Sequence, residues 1–319
     1  MKRLTLSEIV ATRIAPVFNM DAGESAFTTR ELEHIRSKVY EKEYPELLAR
    51  TYIPVDNTVP SGAKTVTYKF YDRVGVAKII ASYADDLPRA DVFAKEYTAR
   101  IRGVGESYGF DLEDIRAAQM AKVPLQQMKA NAAKEAIELK IDQIAQVGDA
   151  SFGLIGMLNQ PNASVYTIPA GVSGFTDWAR KTPDEIVADL NGVVNFVYDS
   201  TNGVEQDDQI LLPLKQYAYI ASTRMGDGSD TTILDFFLEA NPFIKNVSPW
   251  HILKGAGSAG ADRMVSYKRD PDRLQLVISQ EFEQLPPQAR NLEIVVPCHA
   301  RCGGVALYRP LSMAYADGI

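Results

Sequence analysis

The chain has 319 residues, 46% hydrophobic and 24% charged, an ordinary globular balance that argues against wholesale disorder and leaves room for two domains or one large one. Its net charge of −7 leaves no overall electrostatic footprint for tight nucleic-acid binding, although an acidic protein can enclose DNA without gripping it. Two cysteines, Cys298 and Cys302, are too few for a disulfide scaffold and suit a reducing cytoplasm, and no run of about 18 apolar residues offers a membrane span.

The basic start lacks the unbroken apolar core of a signal peptide, because Ser7, Glu8, Thr12 and Arg13 interrupt it. Residues 1–28 have weak periodicity and a turn-rich stretch at 19–25; the expectation is an extended arm ordered by its contacts. Thr28 and Glu31 stand at capping-box spacing, and Leu32, Ile35 and Val39 predict a helix over 29–44. Residues 51–55 read as a strand and 57–62 as a turn. Over 64–81, Val66, Tyr68 and Phe70 alternate with Thr65, Thr67, Lys69 and Tyr71, the pattern of a long strand in a two-stranded excursion. About 12 such residues reach about 40 Å. A lone hairpin of that size is marginal in water and needs a surface, its own or a neighbour's.

Asp85-Asp86-Leu87-Pro88 breaks the pattern, 93–104 returns to strand, and the glycines of 103–109 read as a loop. Ser107 or Asp111 caps an expected helix over 112–121. From Pro124, the stripe Leu125, Met128, Ala132, Ala136, Leu139 and Ile144 predicts a helix about 36 Å long that ends at Gly148-Asp149. Next comes the junction Gly153-Leu154-Ile155-Gly156-Met157-Leu158-Asn159-Gln160-Pro161, turn geometry between two rigid parts. A loop then runs to Thr182. Thr182-Pro183-Asp184-Glu185 starts a helix to about Tyr198, with Thr as N-cap and two acids on the positive end of the dipole. A buried strand at 209–213 and helices at 213–222 and 230–241 (capped by Ser229 or Asp230) come next. Strands are expected at 250–253, 263–267, 274–278, 292–296 and 305–310. The irregular order gives an α+β protein, not a βαβ series.

Several stretches offer chemistry. Gly255, Gly257 and Gly260 fit the G-x-G-x-x-G dinucleotide pattern, which keeps a nucleotide-binding enzyme as an alternative. Residues 261–268 alternate like a strand, however, where that motif needs a helix, so a surface loop is expected. The glycines of 103–109 are one residue off that pattern. Cys298, His299 and Cys302 resemble a metal cluster, but a strand puts the cysteines on one face and His299 on the other. Only His34 and His251 remain to complete four ligands, and buried apolar cysteines are expected. The three histidines lie in no nucleophile-elbow context. Asp85-Asp86 and Asp207-Asp208 read as solvated loop acids. Lys129, Lys134 and Lys140 read as a solvated helix face, with intersubunit pairing or non-specific DNA contact as the other reading.

Read in order, these parts resemble the tailed-phage major capsid fold, which encapsulin shells share. The junction carries the resemblance together with Leu211-Leu212-Pro213-Leu214-Lys215-Gln216-Tyr217-Ala218-Tyr219, Gln280-Glu281-Phe282-Glu283-Gln284-Leu285-Pro286-Pro287-Gln288, Pro297-Cys298-His299-Ala300-Arg301-Cys302-Gly303-Gly304 and the Asp317-Gly318-Ile319 ending. The resemblance implies an N-terminal arm and helix (1–50), an extended β-hairpin loop (51–95) and a peripheral domain with a long spine helix (96–155). An axial α+β domain (156–300) and C-terminal strands shared between the domains (301–319) complete the plan. It implies a shell protein that self-assembles through pentamers and hexamers into an icosahedral capsid enclosing phage DNA. Portal, scaffolding and decoration proteins are the expected further partners. No membrane, cofactor, metal or catalytic residue is expected, and the location is the virion capsid, with the host cytoplasm before assembly. Val66, Tyr68, Phe70 and Tyr71 are the expected assembly residues; Gly153, Leu154, Leu158, Asn159 and Pro161 form the domain junction. An encapsulin-like compartment is the alternative within the class. Lys64, Lys69 and Lys78 lie where some relatives crosslink, but no motif here carries that chemistry.

Overall fold

The computed structural model describes residues 46–74, 91–121, 125–226, 228, 230–291 and 293–319. The expected arm (1–28), the helix over 29–44, the break at 85–88, Lys78, Pro124 and the Ser229 cap lie outside the described residues. In chain order the elements are α1 (Ala49–Tyr52), β1 (Val55–Asp56), β2 (Thr65–Val74), β3 (Asp91–Arg100), β4 (Arg102–Asp111), α2 (Leu112–Ala121), α3 (Leu125–Val147) and β5 (Ser164–Thr167). Then come α4 (Pro183–Ser200), β6 (Gln209–Leu212), α5 (Leu214–Ser222), α6 (Ile233–Ala240), β7 (Asn246–Pro249), β8 (Arg263–Tyr267), β9 (Leu274–Gln284), β10 (Gln288–Arg290), β11 (Glu293–Leu307) and β12 (Met313–Asp317).

The first sheet runs β1-β9-β11-β10, with β4 also paired to β11. The long helix α3 packs on it through Ala133, Ile137, Ile141, Ile144 and Ala145, which are buried with Ile53, Leu276, Ile278, Cys298, Ala300 and Cys302. The expected stripe was Leu125, Met128, Ala132, Ala136, Leu139 and Ile144, and of these only Ile144 is buried. The true buried face includes two polar residues that hide the pattern, Asp142 and Gln146. Asp142 accepts from the Ala49 N–H at 3.0 Å and from the Gln146 amide, so the helix holds α1 through a buried carboxyl as well as through the apolar core that Ala49 and Tyr52 share with it.

The second sheet runs β5-β12-β8-β6-β7. Against it α4 buries Ile186, Leu190, Val193 and Val197, and α5 and α6 add Ile220, Ile233 and Phe237. The start of α4 is a full capping box: Thr182 Oγ1 accepts from the Glu185 N–H at 3.4 Å, and Glu185 accepts from the Thr182 N–H at 2.8 Å.

Four local readings are corrected. The glycine-rich 103–109 is a strand, because Gly103 and Gly109 leave room for the side chains of His299 and Glu293 on β11. Residues 250–253 form a short 3₁₀ turn, His251–Leu253, with the strand one step earlier at β7. The strands at 292–296 and 305–310 are one fifteen-residue strand, β11, whose register shifts between His299 and Gly304. Residues 51–55, expected as a strand of the extended loop, instead finish α1 and begin β1, with Tyr52 and Ile53 buried in the first core. The segmentation by chain position does not follow the sheets either: β9 and most of β11, numbered within 156–300, lie in the first sheet with α3.

Candidate assembly surface and domain junction

Strands β2 and β3 pair over ten positions, from Thr65↔Arg100 to Val74↔Asp91, and form a two-stranded sheet of their own. Ten residues reach about 33 Å. The alternation gives the ribbon two different faces. On one, Val66 joins Ile101, Val277, Ala306 and Tyr308 in a small apolar cluster. On the same face Tyr68 stacks on Tyr97 at 5.4 Å and meets Tyr308 edge-on at 4.7 Å, while its hydroxyl donates to the Leu307 carbonyl at 3.3 Å. At the foot of the ribbon Ile101 N–H donates to Lys64 O, and Arg301 donates to Ala63 O. The other face carries Thr67 against Thr98, Lys69 against Glu96 at 3.1 Å, and Tyr71, which is 59% exposed. The Lys69–Glu96 pair is solvated on both sides and adds little stability. Val66 and Tyr68 thus seat the hairpin on its own subunit, and Tyr71 points outward; the Phe70 side chain lies outside the described residues. Tyr97 and Tyr308 went unread as site residues, since cross-strand register brings the first to Tyr68 and packing against the end of β11 brings the second.

The junction at 153–161 closes the end of α3. An α-helix leaves its last carbonyls without partners. Here Met157 N–H donates to Ala145 O at 2.8 Å and Leu158 N–H to Gln146 O at 2.9 Å, so the chain doubles back onto those carbonyls. Asp149 and Leu154 bridge both ways, and Gly148 and Gly153 take φ of 71° and 68°, the left-handed region that favours glycine. Gly156 sits so close that an added Cβ would come within 2.6 Å of the Gln146 carbonyl. Asn159 Oδ1 accepts from Gly156 N–H, and Gln160 donates to the carbonyls of Gly156 and Val305. Leu154 and Leu158 are buried in the first core, whereas Gly153, Asn159 and Pro161 are exposed. The expected turn between rigid parts is a knot tied to α3 and β11. Gln160, its most connected side chain, had no sequence signal.

Arg263 ties the same knot to the second sheet. It pairs with Asp317 through two bonds of 2.6 and 2.9 Å, donates to Leu158 O, and lies 4.4 Å over the Tyr315 ring. Burial raises the Asp317 carboxyl, but Arg263 and the Ser258 N–H outweigh it and hold the group below its ordinary range.

That carboxylate also settles the glycine loop at 255–260. Ser258 N–H donates to Asp317 at 2.8 Å and Gly255 N–H to Asp262 at 2.9 Å. Two donors of the kind that would cradle a pyrophosphate are taken by carboxylates, which repel one, and β8 comes next where a helix is needed. An added Cβ at Gly257 would lie 2.8 Å from both Ala261 O and the Asp317 carboxyl carbon. Gly257→Ala is therefore expected to destabilise by about 1–3 kcal/mol in thermal unfolding. Adding NAD to the unmutated protein is expected to leave its melting midpoint in place.

The remaining chemistry is internal. Cys298 and Cys302 face the first core beside Ala300 while His299 turns away, and burial pushes the Cys302 thiol up to about 11, out of reactive range. Among the described residues no group of three His, Cys, Asp or Glu is placed to hold a metal ion. Lys129 donates to Gly109 O and pairs with Asp114, and Lys140 pairs with Asp149; Lys134 stays exposed. The reading of Asp207 as a solvated acid is wrong: its side chain is buried and shares a hydrogen bond with the Ser266 hydroxyl on β8.

A family model described as major capsid protein matches residues 75–319, well over half of the chain. The chain belongs to the major capsid protein family. Its fold is similar to the capsid of Myoviridae phage XM1, with a TM-score of 0.79 and 16% identity over 92% of this chain and 99% of that one. Mycobacterium phage Bobi gives a TM-score of 0.58 and 15% identity over 99% of both chains. A virus-like particle from Pyrococcus furiosus gives 0.53 and 11% identity over 84% of this chain and 91% of that one. Identities this low speak to the fold alone. No curated protein sequence matches the chain. As a major capsid protein it has a structural role: it associates with copies of itself into the shell of a virion, with an α+β capsid fold. No described helix is long and apolar enough to cross a membrane.

Proposed function

We propose that this major capsid protein forms pentamers and hexamers of an icosahedral phage shell, and that the β2–β3 hairpin is the element each subunit lays on its neighbour. The observation that carries this reading is the two-faced ribbon. Its foot is fixed to its own subunit by Val66, Tyr68 and Tyr308, while Thr67, Lys69 and Tyr71 face out with no third strand beside them among the described residues. On this reading Val66 and Tyr68 aim the hairpin, and Phe70 and Tyr71 act toward the outer end. The first sheet with α3 is the peripheral domain, the second sheet with α4–α6 the axial domain, and residues 153–161 the junction that fixes their relation. Enclosed DNA, a portal and scaffolding or decoration proteins are the further partners, and assembly takes place in the host cytoplasm. The subunit has no catalytic activity in this proposal.

Electron microscopy and light scattering of the purified protein test it. Rings, sheets or closed particles are expected. A small discrete oligomer under all conditions, above all one that binds NAD, would overturn it.

A further inference from the structure

The segment 205–208 leads into β6 after α4, and its three acids bond to residues in or beside strands of both sheets. Glu205, with 4% of its side chain exposed, pairs with Arg273 at 3.1 Å and Arg309 at 2.6 Å; these stand just before β9 and between β11 and β12. Asp208 pairs with Lys245 at 3.0 Å and accepts from the Arg269 N–H at 2.7 Å, and its backbone bonds to Tyr267 and Lys245. Between them Asp207 is 1% exposed. One of its oxygens shares a hydrogen bond with the Ser266 hydroxyl on β8, and the other is buried with no partner. The charged groups facing it are Glu205 and Asp208, which oppose ionisation, and Lys268, which favours it but forms no ion pair with it among the described residues.

A carboxylate shut away from water without a counterion is costly, and the group stays protonated instead. We propose that Asp207 is a proton-held lock: uncharged, it keeps the turn at 205–208 seated between the two sheets, and loss of its proton releases that turn. The neutral acid can donate to the Ser266 oxygen, leaving only a neutral carbonyl oxygen bare. Ionised, it would set a third negative charge among four residues whose cations are already engaged by Glu205 and Asp208.

Burial, chiefly, pushes the Asp207 carboxyl from 3.8 up to about 8, beyond what Ser266 offsets. That direction fixes the sign. The seated turn binds a proton that the released turn gives up, so the lock is at full strength below 3.8 and weakens as pH rises toward about 8. Across that window the released population grows about tenfold per pH unit, and above it the dependence levels off.

Hydrogen exchange of peptides covering 201–212 and 263–273, from about pH 5 to about pH 9 and corrected for intrinsic rates, tests this. The unmutated protein is expected to lose protection about tenfold per pH unit up to about pH 8. Asp207→Asn, which keeps the shape and removes the titration, is expected to be flat. Equal slopes in the two proteins would overturn the proposal. Infrared spectra of the unmutated protein give a second reading that does not depend on the variant's folding. A carboxylic-acid band present at about pH 7 and lost by about pH 9 is expected; a spectrum without that band at about pH 7 rules the lock out.

Discussion

Excision of residues 71–94, with Phe70 joined to Lys95 by a two-residue Asn-Gly turn, is expected to give a folded, soluble protein that makes no shells. The cut falls at the register pair Tyr71↔Ala94, so Phe70↔Lys95 becomes the last pair and a tight hairpin turn closes it. Everything that seats the ribbon stays: Val66 in its cluster, and Tyr68 between Tyr97 and Tyr308. The described residues removed around the cut include exposed Tyr71 and Ala94, so the shortened protein is expected to stay folded in denaturant unfolding. Particle yield, scored by electron microscopy, should fall to nothing. Normal particles from the shortened chain would remove the hairpin from any account of assembly. Loss of the folded state would show instead that the outer half supports its own subunit.

Asp189→Ala is expected to cost about 3–5 kcal/mol of stability in denaturant unfolding. Lys181 Nζ lies 2.6 Å from Asp189 Oδ2, with both side chains 1% exposed, and it also donates to Pro169 O. Trp178 Nε1 donates to the same carboxylate at 3.0 Å. Burial raises the Asp189 carboxyl, and Lys181 and Trp178 act against it, so the pair depends on its own geometry for its charge. Alanine leaves the ammonium with only the Pro169 carbonyl and no counterion, and the indole N–H without its acceptor. The double change Lys181→Met with Asp189→Leu should recover much of the loss, because it removes the charge and its desolvation cost together. A loss under about 1 kcal/mol for Asp189→Ala would mean that water reaches the site.

The elements that could be read from sequence were those whose cause is local. Thr182-Pro183-Asp184-Glu185 announces α4, and 209–213 announces β6, because a cap and an apolar run are written in consecutive residues. The alternation of 65–71 likewise gave both faces of the hairpin. The misreadings have non-local causes. Gly103 and Gly109 of β4 are small because the His299 and Glu293 side chains reach diagonally across them from β11. The polar residues of α3 are buried because Asp142 receives the α1 backbone. Asp207 looks like any loop acid until Ser266, fifty-nine positions away, closes over it. The capsid resemblance rested on the order of parts, which survives such local errors.

The middle places of the two sheets carry a last consequence. In the first, β11 stands between β4 and β9; in the second, β12 stands between β5 and β8. Translation runs from N- to C-terminus, so each sheet's outer strands leave the ribosome before the strand that must join them. Until residue 317 has emerged, β5 has no partner and β8 lacks one neighbour. A chain that stops short of β12 is therefore expected to leave β5 unpaired and the second sheet unfinished. A prematurely terminated product is expected to be kept out of the shell by its own missing strand.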